Sequence, residues 1–261
     1  MPIRTDIGYT TPDAIYVRGR NLSTEILGKF DFIDMLWFVT FGRQPELREK
    51  NMVNLLLVTA ADHGLTPSAI TARLTWLGAP ESLQGAVAAG LLGAGNNFLG
   101  TVQNVSEILI REAAPLAADA DDATVRARAA EMVRDFRTRK QTIPGIGHPI
   151  HVDGDPRVPT LMAVSKDNGY FGKHWRLALA VTDVLREDHG RHLPLNAAGA
   201  NGAVLADMGL DPLLGRGLAL IGRAAGLVAH VVEERTAPTG QQIWDLVLRQ
   251  DSRNTLPPKN A

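Results

Sequence analysis

The segment PLLGRGLALIGRAAGLVAHVVEE, residues 212–234, is largely apolar and carries no proline after its first residue. A stretch of that kind reads as a helix buried inside a larger helical body, which the rest of the chain must supply. Other segments supply it: residues 51–64 (NMVNLLLVTAADHG), 82–95 (SLQGAVAAGLLGAG), 102–114 (VQNVSEILIREAA), and the runs TLMAVSKDNGY, WRLALAVTDVLRE and ANGAVLADMGL all repeat apolar residues at helical spacing. Alternation of the kind a strand needs is scarce, with AIYVRGR at 14–20 as the best example. The expected class is mainly α. Arg223 and His230 interrupt the longest apolar run, so a core helix is expected there and not a membrane span.

Composition narrows the function classes. A net charge of −1 gives no basic field for nucleic acid or an acidic membrane surface. Cysteine is absent, which removes disulfides, thiol nucleophiles and thiolate metal sites together. The N-terminal MPIRTDIGYTTPD lacks the apolar core of a signal peptide, so a cytoplasmic location is expected. Residues 119–140 have acids at the start and bases at the end, as the helix dipole favours, and read as a solvated surface helix. Arg139 and Lys140 at its end stand just before a glycine-rich loop, where they could meet a phosphate-bearing ligand.

That loop, IPGIGHPIHVDGDPRVPTL from 143, is dense in chemistry. His148 and His151 could ligate a metal with Asp153 or Asp155, although no H-E-x-x-H helix accompanies them. No glutamate stands where a calcium loop would need one. A third reading is backbone cradling, in which Gly145, Ile146 and Gly147 let main-chain N–H groups approach a ligand while His148 reaches its reacting atom. His63, in AADHGLTPS, falls where Gly64 and Pro67 should end a helix; it could cap that helix or face a ligand from its mouth. GLLGAGNNFLG does not match the dinucleotide fingerprint, and no serine has a hydrolase-elbow setting.

In order along the chain, several motifs resemble the citrate synthase superfamily. PGIGHPIHVDGDPR is similar to that family's G-x-G-H loop, with eight residues between His148 and Arg157 of D-P-R. AADHG is similar to its A-D-H helix end, and IGRAAGLVAHVVEE to its late arginine-bearing helix. YVRGRNLSTEI and FDFIDMLWFVTFGRQP are similar to its opening segments. Where citrate synthases carry a catalytic histidine, Phe98 stands in GAGNNFLGT, which resembles citryl-CoA lyases and the C-terminal module of ATP-citrate lyase. Where the family has N-V-D, this chain has Asn196, Ala197 and Ala198, so the resemblance implies that the aspartate of the carbon acid–base step is absent.

The resemblance implies a citrate-synthase-like fold: a large helical domain, 1–113 with 216–261, and a smaller one, 114–215, closing over the active site. It implies a coenzyme A thioester as substrate, with no metal or redox nucleotide cofactor, and retro-Claisen cleavage of citryl-CoA or a related β-hydroxyacyl-CoA. His63 and His148 would be catalytic. Arg157, Arg223, Phe98 and Asn196 would bind substrate, and Gly145, Ile146, Gly147, Arg139 and Lys140 would meet coenzyme A. Asp153, His192 or a water on Asn196 could replace the missing acid. The alternatives are a catalytically impaired thioester binder with a regulatory role, and a Claisen synthase running the reverse reaction. A homodimer or higher homo-oligomer is expected.

Overall fold

Asp31, Thr66, Ser82, Asp121, Asn196 and Asp211 each accept a hydrogen bond from a backbone N–H in the first turn of the helix that follows. These side chains satisfy donors that a helix start leaves unpaired, and they divide the chain into its elements. The computed structural model describes residues 3–256; the extreme ends of the expected large domain, 1–2 and 257–261, lie outside the described residues. The helices are α1 (Phe32–Phe41), α2 (Leu47–Ala61), α3 (Pro67–Gly78), α4 (Leu83–Leu92), α5 (Gly100–Glu112) and α6 (Asp122–Thr138). They continue as α7 (Val158–Asp167), α8 (Lys173–Glu187), α9 (Ala197–Asp207), α10 (Pro212–Glu234) and α11 (Gly240–Gln250).

AIYVRGR is not one strand. Arg18 and Gly19 both take positive φ, and the chain turns back on itself there. The result is a small antiparallel meander of β1 (Gly8–Thr10), β2 (Ile15–Val17) and β3 (Arg20–Asn21). The expectation for residues 119–140 also needs correction, because α6 is not solvated all round. Val125, Ala129, Met132, Val133 and Phe136 of α6 form a buried stripe, and α6 packs on α8.

The expected core helix is α10, which packs on α2, α3, α4, α5 and α9. Glycines let it approach α2 closely. A Cβ at Gly222 would stand 2.3 Å from the Leu57 carbonyl oxygen, and one at Gly226 only 1.9 Å from that of Ala61. No side chain fits at such distances, so α10 presses on the last turns of α2 by backbone contact.

One continuous core runs from Trp37 and Met52 through Val105 and Leu109 of α5 to Trp175, Val204 and Leu218. It crosses the expected boundary at 113/114 without a break, because α5 lies against α9. Each fully buried Leu or Met side chain in it contributes about 1.5–3 kcal/mol. Asp207 at the end of α9 accepts hydrogen bonds from the backbone N–H groups of Gly172, His174 and Trp175. It thereby caps α8 from outside and fixes α9 against it.

Candidate functional site

The loop before α7 is held by the segment that leads into α9. Gly147 N–H donates to the Pro194 carbonyl at 2.7 Å, and Asn196 N–H to that of Gly145 at 2.9 Å. Asn196 uses its whole side chain here: Oδ1 accepts from Gly199 N–H at 3.0 Å and Nδ2 donates to the Gly147 carbonyl at 2.7 Å. Gly145 has φ +84, and a Cβ on it would lie 2.7 Å from Gly199 Cα. Its glycine is therefore required by packing against α9, and not only by approach to a ligand.

Asp155 completes the lacing. Its buried carboxylate accepts from Arg157 Nε at 2.9 Å, Arg157 Nη2 at 2.7 Å and Ala197 N–H at 2.9 Å. Burial alone would push this carboxyl upward, but the Arg157 and Ala197 hydrogen bonds outweigh it and hold it far below the usual range. Arg157 thus begins α7 already oriented, with its Nη1 edge outside the Asp155 pair.

Three imidazoles meet in front of this loop. The His148 and His151 ring centroids are 4.5 Å apart, and each lies 6.1 Å from that of His63 at the end of α2. His148 Nδ1 accepts from the backbone N–H groups of Ile150 at 3.1 Å and His151 at 3.0 Å. An Nδ1 that accepts carries no proton, so the neutral ring presents Nε2–H as a donor. Partial burial, then charge on His151 and Arg157, hold His148 below its ordinary value. His63 is lowered in the same way, by partial burial and by the charges of Arg157, His151 and Arg223.

Arg223 of α10 is nearly buried. Its Nη1 reaches Thr66 Oγ1 at 3.4 Å, and its Nε has no hydrogen-bond partner among the described residues. Two adjoining hollows of about 140 and 80 Å³ share Arg223, Phe98 and Leu99. His63 lines the larger; Thr59, Ala198 and Asn201 line the smaller. A buried guanidinium with so little compensation calls for an anion.

The structure brings His63, His148, Arg157, Arg223 and Phe98 into one region. His151, named from its i, i+3 spacing to His148 only as a candidate metal ligand, lies in the same region. The nitrogens of the three histidines lie within 4.8 Å of one another, close enough to share a cation. Neither Asp153 nor Asp155 joins them: Asp155 is committed to Arg157 and Ala197, while the exposed Asp153 meets His192 through its backbone carbonyl, at 3.4 Å. His192 lines a separate hollow with Gly154 and Leu193, so it does not line the hollow that contains Ala198. Arg139 folds back over the Phe136 ring, 5.0 Å from its centroid, and Lys140 is exposed.

A helical fold whose buried arginine and clustered imidazoles face one cleft fits a known pattern. A family model described as citrate synthase, C-terminal domain, matches residues 14–244, and the chain belongs to the citrate synthase family. Among solved structures it is similar to citryl-CoA lyase from Hydrogenobacter thermophilus: 31% identity, TM-score 0.81, covering 99% of this chain and 96% of that one. ATP citrate lyase from Methanothrix soehngenii, solved in complex with citrate and coenzyme A, shares the fold at TM-score 0.75 and 20% identity. That likeness covers 99% of this chain and 42% of the other.

Curated relatives include citrate synthase 2 of Bacillus subtilis, 26% identical over 202 residues, covering 74% of this chain and 49% of that protein. ATP-citrate synthase subunit 1 of Sordaria macrospora is 25% identical over 248 residues, covering 85% of this chain and 33% of its own length. This chain thus spans half or less of the curated relatives it matches.

Proposed function

We propose that this chain cleaves the Cα–Cβ bond of a β-hydroxyacyl-CoA carrying carboxylates, of the citryl-CoA type, into a shorter acyl-CoA and a keto acid. The observation that carries the reading is the convergence of His63, His148 and His151 with Arg157 and Arg223. Two guanidiniums suit two carboxylates: Arg223 is nearly uncompensated, and Arg157 keeps its Nη1 edge outside the Asp155 pair. The same two charges, with His148 Nδ1 already engaged, weigh toward an anionic ligand over a cation at the histidine cluster.

In the cleavage, the substrate hydroxyl loses its proton, the Cα–Cβ electron pair moves into the thioester as an enolate, and a carbonyl forms at Cβ. His148 Nε2–H holds the substrate oxygen and steadies the charge that develops on it. A ring that donates there cannot also accept that proton, so a neutral neighbouring imidazole takes it. His63, kept neutral by partial burial and nearby positive charge, is suited to that task. The enolate carbon must then be protonated. The hollow beside Ala198 has Thr59 and Asn201 among its polar lining and no carboxylate among the described residues. Without a positioned acid this step is slower by roughly 10²–10⁴.

The lining of that hollow also favours a second reading, a thioester-binding relative that turns over little. A Claisen synthase would use the same groups in reverse. Incubation with citryl-CoA and related hydroxyacyl-CoAs, with products read by mass spectrometry, tests the first reading. Acyl-CoA plus keto acid is the expected result, and His148→Ala should abolish it while the melting temperature holds. Intact thioesters together with a ligand-raised melting temperature would leave the binder.

A further inference from the structure

Behind the candidate site lies a polar chain, buried at Arg73 and Glu234 and open at Asp62 and Glu233, with no part in the chemistry proposed above. Arg73 of α3 is buried, its side chain only 2% exposed. Its Nη1 donates to Glu234 Oε2 at 2.5 Å, and Nη2 pairs with Glu233. The same guanidinium donates to His230 Nδ1, from Nε at 3.1 Å and from Nη2 at 2.8 Å. Guanidinium has no acceptor, so His230 Nδ1 must be the unprotonated nitrogen and Nε2 must carry the hydrogen. Nε2 faces Asp62 Oδ1 at 2.8 Å, and Asp62 Oδ2 accepts from Gly64 N–H at 2.9 Å.

The carboxylate of Asp62 therefore spans the residue between its own position and Gly64, which is His63. Partial burial would raise this carboxyl, but the Gly64 and His230 hydrogen bonds outweigh it. Gly64 has φ +71, so the chain reverses there. Two devices converge on this turn: the backbone seat of Gly226 against Ala61, and the hydrogen bond from His230 one helical turn later.

We propose that His230 is a positioning residue for His63. Arg73 fixes its tautomer, and His230 in turn holds Asp62 so that the 62–64 turn presents the His63 ring to His148 and His151. The proposal rests on the reading that His63 works in this site, but the placement of the turn can be measured without any substrate.

The experiment is a histidine titration by NMR on the full chain labelled at the imidazole carbons, with His63 assigned from a His63→Gln spectrum. His230→Leu removes both hydrogen bonds. The His63 midpoint should shift upward toward its ordinary value as the ring leaves its place beside His148 and His151, while the backbone amide resonances of distant α8 keep their positions. His230→Gln retains an acceptor for Arg73 and a donor for Asp62 and should restore most of the parent midpoint. An unchanged His63 midpoint in His230→Leu overturns the proposal, as does an equal disturbance of the α8 amides.

Should His230→Leu not fold, Arg73→Lys keeps a cation against Glu234 and loses the fork on His230. The same upward shift of His63 is then expected, and its absence overturns the proposal. Failure of the citryl-CoA assay would sink the enzymatic reading and leave this result standing.

Discussion

His148 and Asp155 sit a few residues apart and titrate in different pH windows. The folded state refuses His148 a proton that the unfolded chain accepts, because its ring is held below the ordinary value of 6.5. Stability should therefore be complete above that value and fall as pH drops through it. Asp155 is held below its ordinary 3.8, so its contribution persists to lower pH and is lost only beneath that value. Urea midpoints at about pH 7, 5 and 3 should show two separate declines. His148→Asn should flatten the upper one; an unaltered upper decline would show that other groups cause it.

At the residue scale, the positions of His148, Arg157 and His63 were legible because they stand in recognisable loops. The roles of Asn196 and Asp155 were not legible. Whether a side chain faces a ligand or binds its own backbone depends on neighbours such as Gly147 and Ala197, 49 and 42 residues away in sequence.

Helices were read best where one face is apolar and the other is not, as in α5 and α8. α3 escaped because its inward face carries Arg73 and Ser68 along with Ala69 and Ala72. A charge that is paired with Glu234, 161 residues on, looks solvated in sequence. α11 is the exception: its pattern is as one-sided as that of α5 and α8, yet in the structure it buries only Gly240 and exposes Trp244, Leu246 and Val247.

At this scale the glycines of α10 separate into two kinds. Gly226→Ala must displace the Ala61 carbonyl and should cost about 1–3 kcal/mol or more. A methyl group on Gly217 would meet nothing within 4 Å, so Gly217→Ala should add up to about 1 kcal/mol through helix propensity. Denaturant titration of both checks the pair; equal effects would refute the backbone seat.

For the whole molecule, the exposed apolar side chains matter most. Leu92 is 85% exposed, Leu213 66% and Val247 61%, with Trp244 and Val232 also open. Side chains so open lose apolar cover to water, and we expect copies of this chain to associate through some of them. Sedimentation should give at least a dimer, with a monomer at all concentrations as the contrary result.

The unbroken core across α5 and α9 has a mechanical consequence. Two parts that share buried side chains cannot come apart independently, since exposing one would strip apolar cover from the other. The chain should therefore melt as one cooperative unit. Any opening of the cleft must then leave the α5–α9 contact in place, which serves as the fixed axle.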